Sequence, residues 1–480
     1  MQTLRQSGRA LCCALSLAVL WAAGCSSGRI ATADAGQDSG ALDADAGLSG
    51  DRSADGRDGD GPRADGDAQV GDPGADPGQP PDACPPLGPP EPPIVTVSPG
   101  QAAELRAIVS QAQAQTTILL EDGLYPMDGG DTQSRLSFEV PDVTLRSASG
   151  QPEAVVLDGG YVTGELVSIA ASRITIAELT LQRAYYHPIH ICGGSGDIDS
   201  VRIYRVRVID PAEQAIKINP SYADTYADRG TVACCTIELT EAGRAQVRNS
   251  CYTGGVDAHQ AWGWEVRSNT ISGFWCPQGL SEHGIHFWNG CRDTLVERNT
   301  IVDCARGIGF GLGESGNGEM RAYPDDPYPG VGYIGHYDGV IRNNFIAASS
   351  ADLFASDYGF DAGISLDQAR GSRVLHNTVA SSQPPFSSIE WRFDHTAVEL
   401  GNNLVTHMLR DRGGQAELAG NVQDAAIGCF ADLARGDLHL LAGCDAEDAG
   451  ARLEPGACDE DIDGQLRDAR PDVGADERGD

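Results

Sequence analysis

Along residues 160–395 one short pattern of apolar and polar positions recurs. A small or polar residue is followed by an aliphatic one, a variable position and a hydrophobic residue: LVSI at 166, PIHI at 188, AIKI at 215, GVDA at 255, GIHF at 284, GIGF at 307, GISL at 363 and SIEW at 388. The variable positions follow one another at steps of 22 to 29 residues, apart from two steps of 40 and 56. Alternation with period two predicts strands whose second and fourth positions point inward, while the variable position and the residue two further on point outward. A second phrase, V-x-x-N-x-I, recurs as VRSNTI, VERNTI, IRNNFI and VLHNTV and carries Asn269, Asn299, Asn344 and Asn377. Short strands at a fixed period without intervening helices predict an all-β solenoid. A repeat of about 23 residues suits a three-sided coil, and the leucine-rich-repeat signature L-x-x-L-x-L is missing. Equivalent asparagines are expected to stack and to satisfy one another and the turn backbone.

Upstream, residues 101–113 (QAAELRAIVSQAQ) have helical periodicity with Leu105, Ile108 and Val109 on one face. They read as a cap on the first coil. TTILLEDGLY, VTLRSAS and AVVLDGG then read as strands broken by Gly, Asp and Pro.

Strands in adjacent coils lie about 4.8 Å apart, so the variable positions form a column. It reads Ser168, His190, Lys217, Asp257, His286, Gly309, Ser365, Glu390. The column beside it reads Ala170, Cys192, Asn219, His259, Trp288, Gly311, Asp367, Arg392. An ordinary solvated sheet face carries Ser, Thr, Asn, Arg and Glu. Here the chain's single lysine stands in line with two histidines and an aspartate, with Asn219, His259 and Trp288 alongside. Lys217 beside Asp257 can stay charged and neutralise a sugar carboxylate. His286 or His190 can serve as a general base near neutral pH. Trp288 can stack on a sugar ring, with Trp262, Trp264 and Trp275 extending that platform. Glycine at 309 and 311 is expected to leave floor space for a polymer chain. Asp257, His259 and His286 could converge on a divalent metal, although nothing in the sequence requires a cofactor. Insertions at 220–233, 311–335 and 350–361 supply aromatic residues, among them Tyr323 and Tyr328, as walls of a cleft.

Charge narrows the partners. The 480 residues carry a net charge of −35. Residues 29–93 hold 13 Asp and one Glu against four Arg, a net of −10. Residues 445–480 hold 13 acidic and four basic residues, a net of −9. Acidity throughout argues against nucleic-acid binding. The segment 29–93 has almost no large apolar residue, cannot bury enough surface to fold, and reads as a solvated spacer.

The N-terminus has a basic start (Arg5, Arg9) and an apolar stretch, Ala10 to Ala23, too short to span a bilayer. Ala-Gly-Cys then resembles a bacterial lipobox with Cys25 as the lipidated residue. The expected organisation is a signal peptide over 1–24, a lipidated Cys25 and linker over 25–93, coils over 94–425, and a closing coil with an acidic tail over 426–480. The expected location is the bacterial cell envelope, with the lipid as the only membrane contact; plain secretion is the alternative. Eleven cysteines remain outside the signal and anchor, and an oxidising compartment favours some disulfides. Cys276 and Cys304 follow equivalent asparagines and are candidate neighbours. Cys234, Cys235 and Cys251 form a second set, and Cys429, Cys444 and Cys458 a third.

Residues 95–478 resemble the right-handed parallel β-helix of the pectin-lyase-like superfamily. The opening LRAIVSQAQAQTTILLEDGLY is most similar to the entry coils of the chondroitinase-B and alginate-lyase group, and the ending DLHLLAGCDAEDAG to the closing coils of secreted bacterial β-helix proteins. The resemblance implies a monomer acting on an acidic or neutral polysaccharide. It implies a lyase of uronic-acid-containing glycans, with Arg306 or Arg292 assisting Lys217, Asp257 and a histidine. The same superfamily leaves open a glycan-binding or adhesive protein without turnover.

Overall fold

The computed structural model describes residues 84–479 apart from 222–223, 249 and 314–319. The expected signal peptide, Cys25 and most of the acidic spacer lie outside the described residues. Three long sheets, two of 10 strands and one of 14, are built of parallel strands from successive coils. The chain is therefore a three-sided parallel β-helix. Aliphatic residues pair in register from coil to coil on the inner side. In one sheet the run is Val266, Val296, Ile341, Val374; in another it is Ile271, Ile301, Ile346, Val379. All eight are at most 1% exposed. Burying each such side chain stabilises by roughly 1.5–3 kcal/mol, which is why the inward positions keep their hydrophobic identity.

The turn between these two sheets is tight. Its first residue is left-handed in coil after coil: Ser268 (φ 56°), Arg298 (55°), Asn343 (53°), His376 (50°) and Asn402 (54°). That conformation costs a non-glycine residue roughly 1 kcal/mol. The asparagine that follows offsets it. Each side-chain amide donates to the next asparagine's carbonyl oxygen, from Asn269 through Asn299, Asn344, Asn377 and Asn403 to Asn421, at 2.8–3.0 Å. The same oxygens accept backbone N–H groups. The ladder thus runs two asparagines beyond the recurring phrase.

The expected cap forms as α1 (Leu105–Gln111), which buries Leu105 and Val109 and half-buries Ile108 against the first coil. The ordered body starts ahead of the expected boundary at 94. Cys84 is bonded to Cys234, and Leu87 and Gly88 carbonyls accept from Arg146. Residues 426–479 do not add a further coil. Phe430, Leu438, Leu440, Val473 and Ala475 cover the outward side chains Phe345, Ala347, Ala380 and Leu404 of one sheet. Two more disulfides, Cys251–Cys276 and Cys429–Cys444, pin loops. Cys304 does not pair with Cys276 and is buried as a thiol outside any disulfide, as are Cys235, Cys291 and Cys458.

Candidate functional site

The column predicted from the recurring phrase lies on the remaining 10-stranded sheet. Its strands, in chain order, are β1 (Leu136–Phe138), β2 (Glu165–Ile169), β3 (His187–Cys192), β4 (Gln214–Asn219) and β5 (Gly254–His259). They continue as β6 (Ile285–Trp288), β7 (Arg306–Gly311), β8 (Ala362–Asp367), β9 (Ser387–Arg392) and β10 (Leu409–Arg412). The Cα pairing runs Ser137, Ser168, His190, Lys217, Asp257, His286, Gly309, Ser365, Glu390, Arg410. The expected register is present and extends one coil further at each end. His259 pairs with Trp288 and Asn219 with Cys192 in the neighbouring column.

The column points away from the core but is not solvated. His190, Lys217, Asp257 and His286 are each 4% exposed or less. The expectation of an open face is corrected by the connections between sheets, which fold over it. The connection before β5 brings Tyr252, and the one before β6 brings Glu282 and His283; the Cys251–Cys276 disulfide ties the two together. Half-buried positions remain at Asn219, Tyr252, His259, Glu282 and Trp288, and these form the rim of the site.

Lys217 is the hub. Its ammonium donates to the Asp257 carboxylate, to the His259 Nε2 atom (2.9 Å) and to the Tyr252 hydroxyl oxygen (3.3 Å). Three donors meet three acceptors. Trp288 Nε1 donates to the other Asp257 oxygen at 2.7 Å. The Trp288 ring stands edge-on to His259 (4.1 Å) and stacks on His286 (5.5 Å, 11° between planes). Burial works to raise the Asp257 carboxyl, but Lys217 and then His259 outweigh it and hold it well below the usual range. Burial works to lower Lys217, and Asp257 outweighs it, so the ammonium stays charged. Burial, then Lys217, push His259 down to about 4, leaving a neutral ring at physiological pH. Lys217 pulls the Tyr252 phenol down while burial and Asp257 push it up, and the net shift is a rise. At neutral pH the rim therefore offers a protonated phenol and a neutral imidazole, both on one buried cation.

Other expected residues are engaged with partners of their own. His190 is bound through Nδ1 to Glu165 (2.6 Å), which Arg135 also reaches at 3.3 Å. Arg306 is paired with Asp361 at 2.9 Å at the start of β7. Tyr323 and Tyr328 are not brought to the column. They pack with Trp262, Ile334 and Tyr337 in a satellite cluster; Tyr323 donates to the Gly290 carbonyl, and Tyr328 bonds Asp338. Arg292 belongs to that cluster, paired with Asp325 at 2.7 Å. Trp264 and Trp275 are buried core residues and extend no platform. Gly309 leaves no floor for a polymer, because a Cβ there would lie 2.7 Å from the His283 ring that fills the space. Gly311 is required by its backbone, at φ +77°. The anticipated metal trio of Asp257, His259 and His286 does not converge among the described residues, and Lys217 is bound to both Asp257 and His259.

The residues missed were Tyr252, Glu282 and His283. Tyr252 carried no signal beyond its type. Glu282 and His283 did, since Glu-His-x-x-His places two ring nitrogens and a carboxylate around one strand entry. Burial, then Glu390, push the Asp367 carboxyl up to about 6. A separate depression of about 770 Å³, lined by Glu238, Arg244, Trp275, Asp303 and Asp352 among others, shares no residue with the cluster. The titratable groups converge at the cluster instead, and that convergence marks the candidate site.

No protein-family model matches the chain, and no curated protein matches it significantly. Among solved structures it is similar to pectate lyase Pel9A, at 12% identity over 80% of this chain and 96% of that one, with a TM-score of 0.45. An alginate lyase from Paenibacillus sp. gives 15% identity over 69% and 97%, with a TM-score of 0.46. PfbA, a surface adhesin of Streptococcus pneumoniae, gives 10% over 68% and 91%, with a TM-score of 0.41. The parallel β-helix assignment rests on this chain's own strand register and not on these likenesses.

Proposed function

We propose that this chain engages a polysaccharide across the outer side of β4–β7 and cleaves a uronic-acid-containing glycan by β-elimination. The observation that carries the reading is the convergence of Tyr252 and His259 on Lys217, beside Trp288, at a half-buried rim. β-Elimination needs one group to take the proton α to the sugar carboxylate and another to give a proton to the leaving oxygen. The protonated Tyr252 phenol suits the second role, and His259 suits the first once its Nε2 lone pair exchanges the Lys217 donor for the sugar proton. Lys217 holds both and supplies positive potential from below. Trp288 offers the ring face on which a sugar stacks. We also propose that Cys25 carries a lipid that anchors the chain at the bacterial envelope, with the acidic spacer lifting the coils away from the membrane.

A second reading, glycan binding without turnover, is favoured by one observation: every Lys217 proton already has an acceptor. Incubation with alginate, pectate and glycosaminoglycans, following ultraviolet absorbance of the unsaturated product, separates the two. The lyase reading expects product with at least one uronide and its loss in Tyr252→Phe and His259→Gln. No product from any uronide would leave only binding. For the anchor, labelled fatty acid should enter the wild type and not Cys25→Ala.

A further inference from the structure

The connection into β6 delivers Glu282 and His283 to the same side as His286, and the three ligand atoms lie within 4.8 Å of one another. His286 Nε2 faces the Gly311 carbonyl oxygen at 2.9 Å. A carbonyl only accepts, so Nε2 carries a proton and Nδ1 is the atom turned toward the carboxylates. Nδ1 has no hydrogen-bond partner of good geometry among the described residues, although the residue is 1% exposed. It faces the Glu282 carboxylate at 3.3 Å and Asp257 at 4.0 Å. Nδ1 can face carboxylates in two ways, as an imidazolium N–H or as a lone pair with a cation between them. His283 is placed similarly: its Nε2 shares a hydrogen bond with the Ser365 hydroxyl at 2.8 Å, and its buried Nδ1 has no partner among the described residues.

We infer that Glu282, His283 and His286 form a binding site for a first-row divalent metal of the zinc class. Two imidazoles and one carboxylate are a donor set that zinc takes in three-ligand sites with an open fourth position. Two ligands at about 2.0–2.1 Å on a tetrahedral ion stand roughly 3.4 Å apart, the spacing that His286 and Glu282 already have. Each ring nitrogen opposite the metal side is held by an oxygen, Gly311 or Ser365, as metal-binding histidines are commonly oriented. Charges facing the site are Asp257, held by Trp288 and Lys217, and Arg306, held by Asp361. The metal would clamp the β6 connection onto the sheet. This inference concerns the same face as the glycan reading but stands without it, since metal content is measured without substrate.

The test uses the purified full chain, stripped with a chelator and resupplied with zinc alone. Bound zinc is counted by atomic emission after desalting, and cobalt(II) is added in parallel for its visible spectrum. The expected result is about one zinc per chain and the cobalt bands of a four-coordinate site without a thiolate charge-transfer band. Glu282→Gln and His283→Gln should each weaken zinc by more than about 100-fold, and Ser365→Ala by about 10–100-fold through the freed His283 ring. His439→Gln, which alters a separate His439, Asp463 and Asp476 group, should leave the count unchanged. Less than stoichiometric zinc in the wild type overturns the inference, leaving His286 as an imidazolium paired to Glu282. So does zinc that survives the Glu282→Gln/His283→Gln double variant. Should that variant not fold, Glu282→Gln decides alone: its carboxylate is half-buried at the rim, and an unchanged zinc-induced rise in melting temperature overturns the inference.

Discussion

Replacing Lys217 with methionine keeps an unbranched side chain of nearly the same length and removes its charge. Asp257 is then left 1% exposed, with Trp288 as its remaining short donor. In a medium of effective dielectric about 20, two unit charges in contact gain roughly 4–6 kcal/mol. Removing one partner of such a pair costs about 3–5 kcal/mol, because the survivor stays buried without compensation. The Tyr252 and His259 acceptors also lose their donor. Asp257→Asn in the same chain removes the uncompensated charge and keeps an oxygen for Trp288. The double variant Lys217→Met/Asp257→Asn should therefore recover most of the loss, to within about 1–2 kcal/mol of wild type. Urea denaturation of the four proteins, followed by fluorescence, gives the coupling energy directly. A Lys217→Met protein within about 1 kcal/mol of wild type would refute the reasoning, since a buried charged Asp257 could not then depend on Lys217. The double variant is also the proper control for activity, because any loss in it does not arise from an unpaired charge.

Three further outcomes follow from the geometry. Asn344→Ala removes three donated and two accepted hydrogen bonds inside the ladder and should cost about 3 kcal/mol, read as a lower denaturation midpoint. Opening the Cys251–Cys276 disulfide, which closes a separation of 25 residues, should cost about 3 kcal/mol, measured as the midpoint difference between wild type and a Cys251→Ala/Cys276→Ala variant. His376 is buried between the Gly474 carbonyl and the Asn402 amide, and burial and then Arg467 push it down to about 3. The unfolded ring titrates near 6.5, so stability is intact above that pH and falls as pH drops toward 3. Near pH 5 the loss from this one ring is about 2 kcal/mol, and His376→Gln should flatten the acid limb of a stability–pH curve by that amount.

The inward positions were legible because burial tolerates little else there. Ile285 and Phe287 recur as Ile308 and Phe310, and the structure pairs them so. The outward column was legible in its register for the same reason, since fixing one parity fixes the other. Its environment was not legible. Whether His286 meets water or Glu282 depends on where the connection from 273 to 284 folds, and strand alternation says nothing about a loop. Gly309 shows the same limit. Its lack of a side chain was visible, but the ring that uses the space comes from His283, 26 positions earlier in the chain. Tyr323 and Tyr328 are aromatic and lie on a long insertion, which in sequence alone points to the wall of a cleft. They pack instead on the sheet beside Trp262, where burying their rings stabilises the insertion itself. Cysteine pairing followed loop proximity, which spacing alone did not fix: Cys276 meets Cys251 and not Cys304.

The most direct measurement is equilibrium binding of the purified chain to alginate, pectate and glycosaminoglycan chains, by calorimetry, beside a His259→Ala/Trp288→Ala variant whose fold is verified by its melting curve. Saturable binding of at least one of these glycans to the wild type, weakened by about 10-fold or more in the variant, is the expected result, since a stacking ring contributes on the order of 1–2 kcal/mol. No binding to any of them, or binding that the variant leaves unchanged, would contradict a glycan site on the Lys217 face.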